Sequence, residues 1–231
     1  FDTNAEGGYQ SNLLTRFGDV VYLFFVITAP SQTVERAWNR GLSTQRYKAV
    51  DDLLYHNIEA FTGIPDLFFS WSQVHNKTIH FEFLDNDQPL GKPPRTIAFG
   101  KNTSMVILDP DALCNIDRYR HVNVDAKRPE DVLTSMTEPP YQFIRSCVQK
   151  LDHVTFADFH NAQVYGQIDH GTWRYFDANL CPDNKTLAPI LLSLGRDISQ
   201  STPADKARDP APVIDTNAEH NHTVGLWANG I

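Results

Sequence analysis

The sequence predicts an α+β protein in which N-terminal helices pack on a small, mostly antiparallel sheet with a central helix. Apolar residues recur every three or four positions in the N-terminal third, which is typical of amphipathic helices. They alternate strictly between Thr78 and Phe83, which is typical of a half-buried strand. With 231 residues, 41% of them hydrophobic, the chain is long enough to form one domain with its own core.

The N-terminal part is predicted to contain an extended arm, a buried apolar segment and a short helix. Residues 1–18 are polar and are expected to form the arm. The apolar run Val20–Ile27 is far shorter than the roughly 20 residues that span a bilayer, so we expect a buried strand or helix there. Ser31 is placed to cap a helix that ends at Gly41.

A second helix is predicted from Thr44, whose hydroxyl is suited to an N-cap. Its apolar stripe consists of Tyr47, Val50, Leu54, Ile58 and Phe61. Gly63 and Pro65 are expected to end this helix, because glycine favours the left-handed closing residue and proline cannot continue the hydrogen-bond ladder.

Strands are predicted in the middle of the chain. Ile79, Phe81 and Phe83 share one face of the first strand. A loop rich in proline follows at 85–95, and residues 96–99 and 105–108 are expected to form a hairpin.

The central helix is predicted over 141–153, with strands and one more helix after it. Its apolar face consists of Phe143, Ile144, Cys147, Val148 and Leu151. On such a helix Gln149 and His153 would lie one turn apart. Strands are expected at 163–168 and 172–177 around a three-residue turn, Asp169-His170-Gly171, and a last helix at 187–198. Residues 201–231 are expected to form a proline-containing tail of the same single domain, which is predicted to span 1–231.

Charge excludes several classes of partner. The formal net charge is −8 and the pI is about 5.5, and the basic residues are scattered rather than clustered. A phosphate-binding surface needs clustered lysine and arginine, so we expect no nucleic-acid partner and no adsorption to anionic membranes. We also expect no membrane span.

Four glycosylation sequons indicate passage through the secretory pathway. They begin at Asn76, Asn102, Asn184 and Asn221. Phe1 is not an initiator methionine, which favours a processed chain. Of the three cysteines, Cys114, Cys147 and Cys181, two are expected to pair in a disulfide; which two is left open.

The segment between Cys147 and Asp177 is the best candidate for a working site. It holds three of the nine histidines, together with carboxylates and aromatic residues, while motifs for nucleophilic serine and for phosphate-binding loops are missing from the sequence. The predicted catalytic residues are His153, His160, Asp158, Asp152 and Tyr165. The predicted ligand-binding residues are Asp169, His170, Trp173 and Tyr175.

A metal ion is a weaker interpretation of the same segment. Zinc needs three or four nitrogen, oxygen or sulfur ligands, and the three histidines with their neighbouring aspartates supply suitable atoms. Their spacing does not match a helical His-x-x-x-His pair. We therefore expect no cofactor, with zinc as the alternative.

The residues of the central helix carry a resemblance to a known family. Residues 149–153 read Gln-Lys-Leu-Asp-His, and residues 164–166 read Val-Tyr-Gly. With the order of the elements, these residues are similar to the secreted fungal zincins, which include deuterolysin-type peptidases and related zinc-binding allergens. Gln149 stands in place of the first zinc ligand, Lys150 in place of the catalytic glutamate and Ala162 in place of the third ligand. The resemblance therefore implies a zincin-like fold without peptidase activity.

Together, these patterns predict a secreted glycoprotein that binds and transforms a small, largely apolar molecule. The expected chemistry is metal-independent acid/base catalysis of the cyclase, isomerase or lyase type, because an aspartate beside a histidine prepares it for proton transfer. Two alternatives remain open: a non-catalytic secreted protein that binds zinc or another ligand, and a structural cell-surface glycoprotein. The pattern leaves the oligomeric state undecided.

Overall fold

A computed structural model describes residues 18–74, 76–89 and 91–195, and within them the α+β prediction is confirmed. Seven strands form one mixed sheet. The strands are β1 Val20–Ile27, β2 Thr78–Asp85, β3 Arg95–Lys101, β4 Ser104–Ile107, β5 His153–Ala157, β6 Val164–Asp169 and β7 Thr172–Phe176. The helices are α1 Pro30–Thr44, α2 Val50–Ser72, α3 Pro110–Leu113, α4 Asn115–Arg118, α5 Gln142–Lys150 and α6 Leu187–Leu194, with a 3₁₀ turn at Pro129–Asp131.

The sheet is larger and more mixed than predicted. Its strands lie side by side in chain order, and two of the six neighbouring pairs, β1/β2 and β4/β5, are parallel. Each parallel pair is connected through helices, because a parallel connection needs a crossover. A strand–helix–strand–strand unit therefore occurs twice, over β1 to β3 and over β4 to β6.

Five strands run in the same direction, namely β1, β2, β4, β5 and β7. We call the end of the sheet where these five strands begin the amino end, and the end where they finish the carboxyl end. The two ends carry different groups of polar side chains. Some of the predicted site residues lie at the amino end and others at the carboxyl end.

The core centres on Phe68 of α2, which is fully buried. Its ring makes edge contacts with the rings of Phe81 and Phe83 on β2, at centroid distances of 4.8 Å and 5.2 Å. Phe143 of α5 lies 5.4 Å from Phe83. Helices α2 and α5 thus cover the same face of the sheet. The second half of β2 is buried on both faces rather than half-buried as predicted.

The helix α2 continues beyond its predicted end. It passes through Gly63 and Pro65 and ends at Ser72. A proline inside a helix costs about 3 kcal/mol. The extra turns bury Phe68, Phe69 and Trp71, and each large apolar side chain contributes roughly 1.5–3 kcal/mol, which offsets that cost.

The helix α1 also differs from the prediction at both ends. Ala29 occupies the N-cap position, no side chain caps the helix, and α1 runs past Gly41 to Thr44. A Cβ atom at Gly41 would lie 2.6 Å from Cδ1 of Tyr47. The missing side chain therefore lets the Tyr47 ring pack against α1, where it also contacts Trp38 at 5.3 Å.

The central helix is shorter than predicted, which separates Gln149 from His153. It ends at Lys150, and Leu151 is already extended, with φ −93° and ψ 151°. His153 is the first residue of β5 and pairs with Ser104 of β4. The one-turn spacing that the zincin resemblance requires is therefore not present, because pairing with β4 draws this segment into the sheet.

The hairpin between β6 and β7 has a two-residue loop instead of the predicted three. His170 and Gly171 both have positive φ, 46° and 76°. Two left-handed residues in succession are typical of a type I′ turn, whose twist matches that of paired strands. The last helix is confirmed up to Leu194; its predicted end at Ile198, the tail 201–231 and all of the arm except Gly18 lie outside the described residues.

The predicted disulfide is not formed in this structure. Cys114, Cys147 and Cys181 are each buried as free thiols. Burial raises the pKa of Cys114 to about 12 and raises the pKa of Cys147 well above its ordinary value. Thiols held protonated in this way are unreactive.

The sequons differ in accessibility. Asn76 and Asn184 are exposed, and Asn221 lies outside the described residues. The Asn102 side chain is hydrogen-bonded within the protein. Its amide nitrogen donates to the carbonyl oxygens of Val74 and Lys77, at 3.3 Å and 2.9 Å, and its amide oxygen accepts from the backbone N–H of Ile79. A glycan on Asn102 would require these hydrogen bonds to break.

Among the described residues, no helix is long and apolar enough to cross a membrane. The apolar run Val20–Ile27 forms β1, at one edge of the sheet. It is only half buried, since Val21, Phe25 and Ile27 face the core while the alternate side chains are exposed.

Candidate functional site: a crossed Asp–His cluster

Two Asp-His dipeptides meet at the amino end of the sheet. Asp152 and His153 stand where β5 begins, and Asp169 and His170 stand where β6 turns into β7. The antiparallel register places His153 directly opposite Asp169. The loop between β3 and β4 completes this region, because the carbonyl oxygen of Thr103 accepts from the amides of Asp152 and His153.

The side chains of the two dipeptides pair crosswise. Nδ1 of His153 lies 2.8 Å from Oδ1 of Asp169. Nδ1 of His170 lies 3.3 Å from Oδ1 of Asp152. The two imidazole rings are therefore neighbours, with centroids 5.6 Å apart and planes inclined by 57°. We call these four residues the crossed Asp–His cluster.

Further contacts hold both carboxylates in place. Oγ1 of Thr103 donates to Oδ2 of Asp152 at 2.6 Å, and the amide of His170 donates to the Asp152 carbonyl oxygen at 2.7 Å. Nε of Arg174 lies 3.0 Å from Oδ2 of Asp169. Because each carboxylate is fixed by a second group, each imidazole is held in one orientation by a positioned partner rather than by a mobile one.

The imidazoles remain accessible to a ligand. The His153 and His170 side chains are 55% and 72% exposed, whereas Asp169 is 26% exposed. A carboxylate that accepts from Nδ1–H leaves Nε2 as the atom available for proton transfer. Within the described part of the chain, no hydrogen bond is formed by Nε2 of either ring. The cluster thus presents two oriented, solvent-facing nitrogen atoms.

The structure does not bring His160 and Asp158 to this cluster. Both follow the last residue of β5, whereas His153 is its first, and five residues of strand correspond to roughly 16 Å. Oδ1 of Asp158 accepts from the amides of His160 and Asn161, at 2.8 Å and 3.1 Å. Asp158 therefore shapes the turn between β5 and β6 at the carboxyl end.

Tyr165, Trp173 and Tyr175 also lie away from the crossed Asp–His cluster. Tyr165 is fully buried, and burial raises the pKa of its hydroxyl. Trp173 is buried against Phe156, at a centroid distance of 5.7 Å. Tyr175 is half-buried opposite Gln167. Of the nine predicted site residues, four meet at the amino end: Asp152, His153, Asp169 and His170.

The carboxyl end of the sheet carries a row of aspartates that the sequence analysis missed. Four strands that run in the same direction are each followed or ended by an aspartate after two apolar residues: Asp85, Asp109, Asp158 and Asp177. The recurring pattern of two apolar residues and an aspartate was the signal available in the sequence. In open sheets with parallel strands, ligands favour the carboxyl ends.

Two of the four aspartates in this row, Asp85 and Asp109, share one arginine as a charged partner. One Arg95 nitrogen lies 3.0 Å from Asp85 and 2.8 Å from Asp109, and its guanidinium stacks on the ring of Phe159 at 4.8 Å. Asp109 also accepts from the amide of Ala112. Such a satisfied network stabilises the loops, while the crossed Asp–His cluster keeps ring nitrogens free. The amino end is therefore the better candidate site.

Within the described residues, no three histidine, cysteine, aspartate or glutamate side chains are arranged to hold a metal ion. Comparisons with known protein families, with curated proteins and with solved structures find no match for this chain. The resemblance to zincins rests on sequence alone, and the strand position of His153 gives it no structural support.

Proposed function

We propose that this protein catalyses proton transfer on a small organic molecule, and that His153 and His170 carry out the transfer. The observation that supports this proposal is the crossed pairing, in which Asp169 and Asp152 each hold one imidazole by Nδ1. In this arrangement one neutral imidazole removes a proton through Nε2 while the other, protonated, delivers a proton. Positioned acid and base groups of this kind contribute about 10²–10⁴-fold to a rate.

The proposed reaction class is isomerisation or elimination, in which a proton leaves carbon and another reaches oxygen or carbon. Such reactions need no net oxidation. Arg174, held by Asp169 at 3.0 Å, is 65% exposed and supplies a positive charge beside the two rings. A guanidinium there would stabilise negative charge that develops on a substrate oxygen. The surrounding groups are polar, so we propose a polar substrate rather than the largely apolar one that the sequence suggests.

A carbon acid that reports proton removal tests the proposal. In 5-nitrobenzisoxazole a base removes the proton from carbon, the N–O bond breaks, and the leaving oxygen takes a proton from the acid. The carbon and nitrogen atoms become a nitrile, the released nitrophenol ionises in neutral buffer, and the coloured phenolate is followed by absorbance. We expect His153→Gln and His170→Gln each to lower the protein-catalysed rate by roughly 10²-fold. The double variant should be no slower than either single variant, because the two groups act as a unit.

Two other histidines serve as comparisons. His56 is exposed and its Nδ1 lies 2.6 Å from the carbonyl oxygen of Asp52, so His56→Gln is a matched control with an expected rate equal to that of the wild type. His160→Gln tests the carboxyl end. A rate lost in His160→Gln and kept in His170→Gln would refute the crossed Asp–His cluster as the site.

The remaining expectations from the sequence stay as proposals alongside this one. Secretion and glycosylation are supported by the exposed sequons at Asn76 and Asn184, while the buried free thiols give them no support. Mass spectrometry of the protein after expression through the secretory pathway tests both, since an unglycosylated product at Asn76 and Asn184 would contradict them.

A further inference from the structure

The strand β1 combines an unpaired edge with exposed apolar side chains in the described part of the chain. β1 is the first strand of the sheet, and among residues 18–195 no strand pairs with its outer side. Its solvent-facing side chains, which stand on one face of the sheet, are apolar and exposed: Val20 by 53%, Tyr22 by 52%, Phe24 by 39% and Val26 by 46%. Edge strands are usually protected by charge, proline or a bulge, and β1 contains no charged residue and no proline.

The direction of the β1 backbone groups follows from its bonds to the next strand. The carbonyl oxygen of Asp19 accepts from Thr78, and that of Ile27 accepts from Asn86, so odd-numbered residues direct their backbone groups toward β2. Since successive residues of a strand direct these groups to opposite sides, the even-numbered residues direct theirs outward. The N–H and C=O groups of the four exposed residues therefore lie in the plane of the sheet and point away from β2.

A second copy of β1 in antiparallel orientation matches these groups. Antiparallel pairing requires that outward-directed residues lie opposite outward-directed residues. If the two-fold axis passes through Leu23, Tyr22 of one copy lies opposite Phe24 of the other, and Val20 lies opposite Val26. Every outward N–H and C=O then finds a partner, while a shift by one residue would place core-facing side chains on the exposed face.

We propose that two copies of this chain associate through β1, in this antiparallel register, to form one continuous sheet. The match is isologous, as a two-fold interface requires. Aromatic side chains oppose aromatic ones and aliphatic side chains oppose aliphatic ones, which favours the pairing. Each chain carries a net charge of −8, but β1 itself is uncharged, so the contact brings no like charges together. This inference is independent of the proposed catalytic role.

The mass in solution is the first test. Sedimentation equilibrium of the full chain at about 100 μM should give twice the 26.2 kDa of one chain. Phe24→Pro removes an outward N–H and leaves the bonds to β2 intact, so this variant should fold and sediment as a monomer. Phe25→Pro is the matched control: it removes an N–H that β2 uses, and it should unfold the protein. Phe24→Lys, which keeps its N–H, should also be monomeric.

Cross-linking tests the register. A mixture of Val20→Cys and Val26→Cys proteins should form a disulfide-linked pair under mild oxidation, because opposed residues in such a pair have Cα atoms about 5.5 Å apart. Neither protein alone should cross-link, since two Val20 positions would be roughly 20 Å apart. A wild-type monomer at this concentration, or a Phe24→Pro protein that is folded and dimeric, would overturn the proposal. Equal cross-linking of each variant alone would overturn the register.

Discussion

Replacing Tyr165 by phenylalanine is expected to stabilise the protein. Tyr165 is fully buried within the core, between Phe156 and Phe176. Within the described residues its hydroxyl group has no hydrogen-bond partner. A buried hydroxyl without a partner costs roughly 1–3 kcal/mol, because it has lost its bonds to water and gained none. Phenylalanine keeps the ring and removes only this group.

The expected gain in the free energy of unfolding is about 1 kcal/mol. The lower part of the range applies because removal of the oxygen leaves a small space beside the ring. For a chain of this size, a change of 1 kcal/mol moves the melting temperature by roughly 2–4 °C. Urea denaturation followed by tryptophan fluorescence gives the free energy, and calorimetry gives the melting temperature.

Tyr119 provides a matched control with the opposite sign. It is also buried, but its hydroxyl donates to Oδ2 of Asp87 at 2.7 Å, and burial raises its pKa. Tyr119→Phe removes a hydrogen bond to a charged group, which is worth about 1.5–3 kcal/mol. Its melting temperature should therefore fall by roughly 4–10 °C. The reasoning is refuted if Tyr165→Phe destabilises the protein as Tyr119→Phe does, because the Tyr165 hydroxyl would then have a partner.

Three further predictions concern stability and modification. Burial raises the pKa of the Cys114 and Cys147 thiols, whereas the same thiols in the unfolded chain ionise near pH 8.5, so the unfolded state loses its protons first as the pH rises. The contribution of these protonated thiols to the free energy of unfolding is therefore fully present below about pH 8.5 and falls above it by about 1.4 kcal/mol per pH unit for each thiol. Cys147→Ala should reduce this slope in urea titrations between about pH 8 and pH 11. Asn102→Ala should cost about 2–3 kcal/mol by the same assay, and in a secreted preparation Asn102 should carry no glycan by mass spectrometry, because its amide is bonded to backbone carbonyls. Gly100→Ala should destabilise the protein by more than about 2 kcal/mol, since an added Cβ would overlap the Ser104 carbonyl oxygen and lie 2.7 Å from the Phe81 ring; a melting temperature equal to that of the wild type would contradict the close packing of β3 and β4.

The candidate site was only partly predictable from sequence. The Asp-His dipeptides at 152–153 and 169–170 are visible as a local concentration of titratable groups, and they do form the cluster. Their crosswise pairing follows from the register between β5 and β6, which no local pattern encodes. His160 looked equivalent in sequence, but it lies at the other end of β5, because a strand separates residues along its length where a helix would bring them together.

The sequence by itself determined the strands, helices and turns that depend on patterns within a few neighbouring residues. The alternation from Thr78 produced β2, the apolar face of residues 143–151 produced α5, and the turn at His170 and Gly171 produced the last hairpin. These elements depend on backbone preferences and on the side-chain period within a few residues.

The tertiary structure decided where elements end, which neighbours they have and what they expose. α2 continues through Pro65 because its last turns bury aromatic side chains on the sheet, and His153 joins a strand because β4 offers it a partner. The run Val20–Ile27 reads as fully buried, yet in β1 only alternate side chains face the core, and those on the other face of the strand are exposed. Strand pairing and burial between distant residues outweigh local backbone preferences. Burying one large apolar side chain stabilises the fold by as much free energy as the helix propensities of several residues together.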